Sequence, residues 1–374
     1  MTEPTTKRRH NVFARPLLLA LGLLLTASNT NAAQDLASTR NMANHGNPDA
    51  QYTLGMSYAN GDGIGRDPKL AAFWYLKAAQ QGHAAAQFSL GILYFTGTTV
   101  PRDELQAFVW FRKAAERGYA KAQYFLGLCY DYGSGVARDG EKAIAWYRKA
   151  AAQGDADAQL NLGVHYAKGL DVPQDSKMAF NWYRKAAEQG DATAQFNLAL
   201  SYAKGTGTAE DAEQSVVWFR RAAEQGYAPA QYNLGYHYSK GDGVPRDLSQ
   251  AFAWYSRAAA QGLAAGQYSV GFCYAYGEGV EQDEKQAVSW YRSAAEQGLS
   301  EAQSDLGIAY ATGRGVPQDH SQAYIWLSVA IANGSSLSQT DDTRDSLATK
   351  LNPDQLAQAQ ATAGQYFEMY RPPN

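Results

Sequence analysis

The stretch Ala230–Ala265, AQYNLGYHYSKGDGVPRDLSQAFAWYSRAAAQGLAA, decides the fold because the chain spells it out eight times. The same 36-residue phrase begins again at Ala50, Ala86, Ala122, Ala158, Ala194, Gly266 and Ala302, with no insertion or deletion. A fixed period of this length marks a solenoid, in which each unit buries its apolar face against its neighbours. All eight tryptophans occupy one repeat position, from Trp74 to Trp326.

Each repeat holds two helical patterns. In the first, Ala50, Leu54 and Tyr58 recur at i, i+4 and i+8, one face of an α-helix. It ends at Gly61, glycine in every copy, which suits the left-handed position past a helix end. A loop G-x-G-V-x-x-D follows, closing on Asp67, Asp103, Asp139, Asp175, Asp211, Asp247, Asp283 or Asp319. That aspartate reads as the N-cap of the second helix. Gln106, Gln214, Gln250, Gln286 and Gln322, three residues on, predict a capping box in five copies. A row of metal ligands or catalytic acids is the competing reading, but eight caps need one explanation and eight active sites need many. The second helix turns Ala71, Tyr75 and Ala78 inward and stops at Gly82. Gly55 is glycine in seven copies, Ala199 being the exception, and Ala78 is alanine in all eight. Small residues at these facing positions predict a close helix crossing, with Tyr58, Trp74 and Tyr75 filling the space towards the next pair.

The pattern A-Q-x-x-L-G-x-x-Y-x-x-G-x-G-V-x-x-D-x-x-x-A-x-x-W-Y-x-x-A-A-x-x-G resembles the Sel-one-like repeat (SLR), a cousin of the tetratricopeptide repeat, over 288 of 374 residues. Its long loop sets it apart from the shorter tetratricopeptide unit of about 34 residues. The resemblance implies an all-α fold, a right-handed α/α superhelical solenoid of helix-turn-helix repeats whose first helices line the concave wall. It also implies a non-enzymatic scaffold for protein partners. Thr99 and Asp171 replace the second loop glycine, so those two loops are expected to differ in shape.

Residues 1–32 read as a signal peptide, with a basic start at Lys7, Arg8 and Arg9, an apolar run Leu17–Leu25, and small residues before a cut near Ala32/Ala33. The run falls short of the ~20 residues a membrane span needs, an uncleaved anchor being the alternative. No cysteine at the cut argues against a lipoprotein signal. General secretion is favoured over the twin-arginine route that Arg8-Arg9 raises. The expected location is periplasmic or secreted, from a bacterial cell. Residues 33–49 read as an N-terminal half-repeat cap, with Ala43 and Gly46 one period before Ala79 and Gly82. The repeats span 50–337. A polar linker, Ser335–Asp342, then leads into a C-terminal helical cap over 338–374, where Asn352 caps a helix opening on Pro353 and running to about Tyr370.

Without residues 1–32 the chain keeps 29 basic and 35 acidic side chains, a net charge of −6 with no basic block, which argues against nucleic acid. Cys129 and Cys273 share one repeat position four repeats apart. That separation is beyond the ~4.4–6.8 Å of a disulfide, so they read as buried small hydrophobes. The metalloprotease, serine-hydrolase and phosphate-loop motifs are missing from the sequence. The best metal candidate pairs Cys129 with His165, mirrored by His237 and Cys273, yet residues one repeat apart are too distant to share a metal at ~2.0–2.3 Å. The reading is no metal, no cofactor and no enzyme.

A binding surface shows where the copies differ. Positions equivalent to 52, 53, 56, 59 and 60 should face the groove. Position 52 is largely aromatic, in Tyr52, Phe88, Tyr124, Phe196, Tyr232 and Tyr268. Two columns become uniform only in the middle repeats, Asn161, Asn197 and Asn233, then Lys168, Lys204 and Lys240, with Tyr132 and Tyr276 flanking the lysines. Asparagine offers an extended peptide both a donor and an acceptor. Lysine supplies charge for a carboxylate, and tyrosine gives rigid contact area. The arrangement resembles in kind the carboxylate clamp of tetratricopeptide adaptors. The partner-binding set is therefore Asn161, Lys168, Asn197, Lys204, Asn233, Lys240, Phe196, Tyr232, Tyr132 and Tyr276. The competing reading is recent duplication of repeats four to six, with the lysines merely solvated. On the second helices, Arg112–Glu116, Arg184–Glu188, Arg220–Glu224 and Arg292–Glu296 read as exposed i,i+4 pairs of ~0.2–0.5 kcal/mol each.

The functional expectation is an exported monomeric scaffold or adaptor that binds a protein or peptide partner in the groove, with no membrane contact beyond an uncleaved anchor. One alternative is a cell-wall or antibiotic-hydrolysing enzyme, proposed for relatives whose paired cysteines this chain lacks. Another is a host-directed secreted effector.

Overall fold

The computed structural model describes residues 32–335 and 338–371, so the signal-peptide reading lies outside the described residues except for Ala32. The described residues form nineteen helices and no strand. A lone helix α1 (Ala32–Asn44) precedes eight pairs. Repeats one to four hold α2 (Pro48–Asn60) with α3 (Pro68–Gln80), α4 (Ala84–Thr96) with α5 (Glu104–Glu116), α6 (Ala120–Tyr132) with α7 (Gly140–Ala152), and α8 (Ala156–Lys168) with α9 (Ser176–Glu188). Repeats five to eight hold α10 (Ala192–Lys204) with α11 (Ala212–Glu224), α12 (Ala228–Lys240) with α13 (Leu248–Ala260), α14 (Ala264–Tyr276) with α15 (Glu284–Ala295), and α16 (Ser300–Thr312) with α17 (His320–Ala332). Two further helices, α18 (Ser338–Ala348) and α19 (Pro353–Tyr370), follow. The chain divides into two compact units, Met1–Gln189 and Gly190–Asn374, at the border of repeats four and five. The fold is an all-α solenoid of helix-turn-helix repeats.

All eight aspartates cap the second helices, each accepting from a backbone N–H two or three residues on. The capping boxes expected at five copies need correcting. A box requires the aspartate's own N–H to donate to the glutamine side-chain oxygen, but that N–H already donates to a tyrosine carbonyl in the preceding first helix, as Asp103 does to Tyr94 at 2.9 Å. The loop thus closes back onto the helix it left. The reciprocal box does form at α19, between Asn352 and Gln355.

The close crossing is also drawn differently. A Cβ on Gly127 would stand 2.6 Å from Tyr147 Cδ1, so the glycine makes room for the second helix's aromatic ring and does not face the Ala78-type alanine. That alanine presses on the following repeat, as Ala258 does against Gly266. The loop glycine at φ +69° in Gly135 lies against the Glu104 carbonyl of the preceding repeat. Asp171 takes the same left-handed backbone at φ +57°, so its loop keeps the glycine shape, contrary to expectation. A short polar side chain tolerates that region, whereas β-branched Thr99 does not enter it.

A polar ladder ties the repeats together. Gln123 is buried, donates through Nε2 to Ala115 O of the preceding second helix (3.2 Å), and accepts at Oε1 from Gln153 of its own repeat's second turn (2.8 Å). Gln51, Gln159 and Gln231 do the same. Gln87 is an exception: Arg117 replaces the donor glutamine, and the buried Gln87 Oε1 has no partner among the described residues.

The second helices hold another correction. Arg112 and Arg184 do approach Glu116 and Glu188, at 3.8 and 3.9 Å. Arg220 and Arg292 instead reach forward eighteen residues to the hydroxyls of Tyr238 and Tyr310, at 3.0 and 2.5 Å, as Arg148 does to Tyr166. These arginines link repeats. At one end α1 packs Ala43 against Ala50, Leu54 and Trp74. At the other, Trp326 stacks on Tyr366 and Tyr370 of α19. Part of the expected linker, from Ser338 on, is the first turn of α18.

Candidate functional site

Three cavities occupy the same place in the repeat. Each lies where the last turn and loop of one first helix meet the outer face of the next. In the first unit one sits between repeats one and two, walled by Asn60, Arg66, Tyr75, Ser89 and Ile92 among others, with a volume of about 220 Å³. Another, of about 350 Å³, lies between repeats three and four, around Asp131, Arg138, Asn161, His165 and Asp171. In the second unit a cavity of about 300 Å³ between repeats seven and eight is lined by Tyr276, Tyr291, Asp305 and Arg314. Positions equivalent to 53, 56, 59 and 60 contribute to all three.

The cavity between repeats three and four is lined by charge. Asp131 Oδ2 accepts from the Tyr147 hydroxyl at 3.1 Å and from His165 Nε2 at 3.0 Å, and His165 Nδ1 donates to the Leu170 carbonyl at 2.9 Å. Both ring nitrogens face acceptors, an arrangement that favours the doubly protonated ring. Burial opposes that charge, but the Asp131 hydrogen bond and the Leu170 carbonyl outweigh it and raise the His165 pKa. The same burial, with Asp131 adding to it, drives the Tyr147 pKa well up. Arg138 Nη2 pairs with Asp171 at 2.5 Å, and Asp171 fits because the residue it lies against is Gly140. A tyrosine, a carboxylate and a histidine in contact invite a catalytic reading, but both ring nitrogens are already engaged within the fold, with Asp131 and the Leu170 carbonyl. Cys129, two residues from Asp131, is buried core, and burial raises its thiol pKa. Burial likewise holds Cys273 up, at about 12. Among the described residues no group of three His, Cys, Asp or Glu side chains is placed to hold a metal.

The predicted partner-binding residues scatter over three settings. Tyr132 and Asn161 share the cavity between repeats three and four, and Tyr276 lines the one between seven and eight. Asn161 Nδ2 reaches the Tyr124 hydroxyl at 3.4 Å, and Asn233 Nδ2 donates to Pro229 O at 2.8 Å, so two of the three amides are engaged within the fold. Asn197 is half-buried. Phe196 and Tyr232 lie against Phe219 and Tyr255 of their own repeats, ring centroids 5.7 and 5.8 Å apart, and Phe88 and Tyr124 in that column are buried. The position-52 rings are largely packing residues. Lys168, in the first unit, and Lys204 and Lys240, in the second, are exposed and form no salt bridge among the described residues.

Two features escaped the sequence reading: the aromatic residues Tyr236 and Phe272 that accompany the expected Tyr276, and a ladder of glutamines. In the second unit Tyr236 is 46% exposed and Tyr276 67% exposed, with Phe272 half-buried and its ring 4.5 Å from that of Tyr276. Lys240 Nζ lies 5.8 Å from the Tyr236 ring centre. The signal was position 56, which is Met56, Ile92, Leu128, Val164 and Leu200 before turning aromatic at Tyr236 and Phe272. The glutamine ladder was equally visible, as the Gln at the second position of every copy, after alanine in seven and after Gly266 in the other.

With these sites in place, the relationship to known proteins can be stated. The family model of the Sel1 repeat matches residues 48–83, 84–119, 120–155, 156–191, 192–227, 228–263, 264–299 and 300–335. The chain belongs to the Sel1 repeat family. Its structure is similar to that of a Sel1 repeat protein from Oxalobacter formigenes, at 36% identity and a TM-score of 0.61, over 88% of this chain and 93% of that one. It is also similar to a protective antigen present in uropathogenic Escherichia coli strains that displays an SLR fold, at 32% identity and a TM-score of 0.51, over 99% of this chain and 95% of that one. No curated protein sequence matches the chain. Sel1 repeats generally mediate protein–protein interaction, and the family is typically non-enzymatic. No helix among the described residues is long and apolar enough to cross a membrane.

Proposed function

We propose that this Sel1 repeat protein is an exported, non-catalytic adaptor that holds an extended, acidic segment of a partner protein against its first helices. The observation that carries this reading is the exposure of two aromatic side chains in the second unit, Tyr276 against Phe272 and Tyr236 beside Lys240, which forms no salt bridge among the described residues. Large aromatic surface left in water is unfavourable unless a partner covers it, and rigid tyrosines beside a cation suit a peptide carrying apolar and acidic side chains. Lys204 and Lys168 extend the cationic character within their own units. The basic start and apolar run ahead of Ala33 support export to the periplasm or beyond.

The test is crosslinking capture from intact cells. Tyr236→Ser with Tyr276→Ser, and separately Lys168→Ala with Lys204→Ala and Lys240→Ala, are compared with wild type. Loss of one captured protein in the aromatic variant, and its weakening in the lysine variant, is expected. Identical capture by all three proteins would overturn the assignment of this face. Amino-terminal sequencing of the exported chain checks the cut near Ala33.

A further inference from the structure

The cavity between repeats one and two copies the one between three and four with its carboxylates taken out. Tyr75 stands where Tyr147 does and Arg66 where Arg138 does, but Ala59 replaces Asp131 and Thr99 replaces Asp171. In the filled copy, Asp131 accepts from the Tyr147 hydroxyl at 3.1 Å and lies 4.0 Å from Arg138 Nη2, which also holds Asp171. One carboxylate at that spot therefore serves a tyrosine hydroxyl and a guanidinium together.

In the emptied copy the donors remain. Tyr75 is 1% exposed and its hydroxyl has no hydrogen-bond partner among the described residues. Position 59 is where this tyrosine's partner comes from elsewhere: Asp131 for Tyr147, and Ser239 Oγ for Tyr255 at 3.3 Å. Ala59, a wall of the cavity, has nothing to offer. Arg66 is set like Arg138, its Nε donating to the position-59 carbonyl at 3.1 Å against 3.0 Å, but it has no acidic partner among the described residues. No carboxylate lines this cavity, Ile92 and Leu93 form an apolar wall where Val164 and His165 stand in the filled copy, and about 220 Å³ holds one side chain and not a peptide. A buried hydroxyl without a partner carries a desolvation cost that an incoming acceptor removes, and a charged acceptor beside a guanidinium does so best.

We propose that this cavity receives an acidic side chain of the bound partner, its carboxylate placed between the Tyr75 hydroxyl and Arg66 as Asp131 is between Tyr147 and Arg138. The inference rests on the adaptor reading above and names an anchor for it in the first unit. The probe is glutamate blocked as its N-acetyl, N-methylamide derivative, titrated into the full chain while the methyl resonances of Ile92 and Leu93 are followed. Millimolar binding is expected, at least ~10-fold weaker for the matching glutamine derivative, since only the charged acceptor pairs with Arg66. Ala59→Asp fills the site from within and abolishes the shifts, and Arg66→Gln weakens them ~10-fold. Should Ala59→Asp not fold, Ala59→Ser gives Tyr75 the partner Tyr255 already has, and binding falls several-fold. Equal binding of both derivatives, no shifts at about 50 mM of the glutamate probe, or full binding to the filled variants overturns the proposal. The titration needs no partner protein. Its failure with capture intact removes this cavity alone, whereas failure of capture with the titration intact removes the adaptor reading and the partner from this proposal, leaving a carboxylate site only.

Discussion

The two units of this chain share one set of buried repeat residues and use their variable positions in opposite ways. In the first unit the differing residues fold into internal charge, with Asp131 and His165 side chains only 11% and 6% exposed, and Lys121 bridging Asp155 and Asp157 at 3.0 and 3.1 Å. In the second unit the corresponding variety stands out in solvent as Tyr236 and Tyr276. A repeat whose stability comes from the alanine, glycine and aromatic positions leaves the remaining positions free to strengthen a junction or to meet a partner.

If that division holds, the largest effects come from positions the units share. Gly127→Leu and Gly271→Leu each drive a side chain into a ring, with Cβ at 2.6 Å from Tyr147 Cδ1 and 2.7 Å from Tyr291 Cδ1. Each is expected to cost ~3 kcal/mol or more by urea unfolding, above the usual overpacking range. A large difference between the two would break the idea of a common interior. Ala199 shows that one methyl is accommodated in repeat five, so the alanine variants should cost far less.

Next in size is a change confined to the first unit. Asp131→Asn removes the charge under His165 and should cost ~1.5–3 kcal/mol, the worth of a charge-assisted hydrogen bond. The pH dependence gives a sharper reading. The His165 pKa is raised in the folded chain, so its contribution is complete below the ordinary value of ~6.5 and is lost as pH rises through the higher folded value. Melting temperature should fall over that window in wild type and stay level in Asp131→Asn. A wild-type profile as flat as the variant's would sink the imidazolium assignment.

Smaller still, Arg117→Gln should restore the missing rung to Gln87 and stabilise the first unit by ~0.5–1.5 kcal/mol, seen as slower amide exchange in α4 and α5. Last, Tyr236→Ser with Tyr276→Ser should shift stability by less than ~0.5 kcal/mol while removing capture. A large loss of stability would make those rings part of the second unit's core and erase the contrast.

Much of this was open to reading in one dimension. The period, the helix ends at Gly61 and its equivalents, and the eight aspartate caps follow from local chemistry, which depends on neighbours a few residues away. Burial of Tyr75, Ala78 and the cysteines follows from the period as well. What the site would contain was far less legible. Asn161 and Lys168 stand seven residues apart and share a column pattern, yet Asn161 turns to Tyr124 while Lys168 stays in solvent. Spacing within a helix names a face, but it does not say what the neighbouring repeat brings to that face.

The sequence by itself determined the solenoid, its register and its caps, because each is set by residues within one 36-residue phrase and the phrase recurs. Only the tertiary structure decided that six of the Gly55-type glycines face rings, that Gly140 makes space for Asp171, and that Asp131 and His165 bring charge to one cavity while Ala59 leaves its counterpart without a carboxylate. Those pairings join residues 20 to 34 positions apart, and only the stacking of one repeat's helices on each other and on the next brings them within reach.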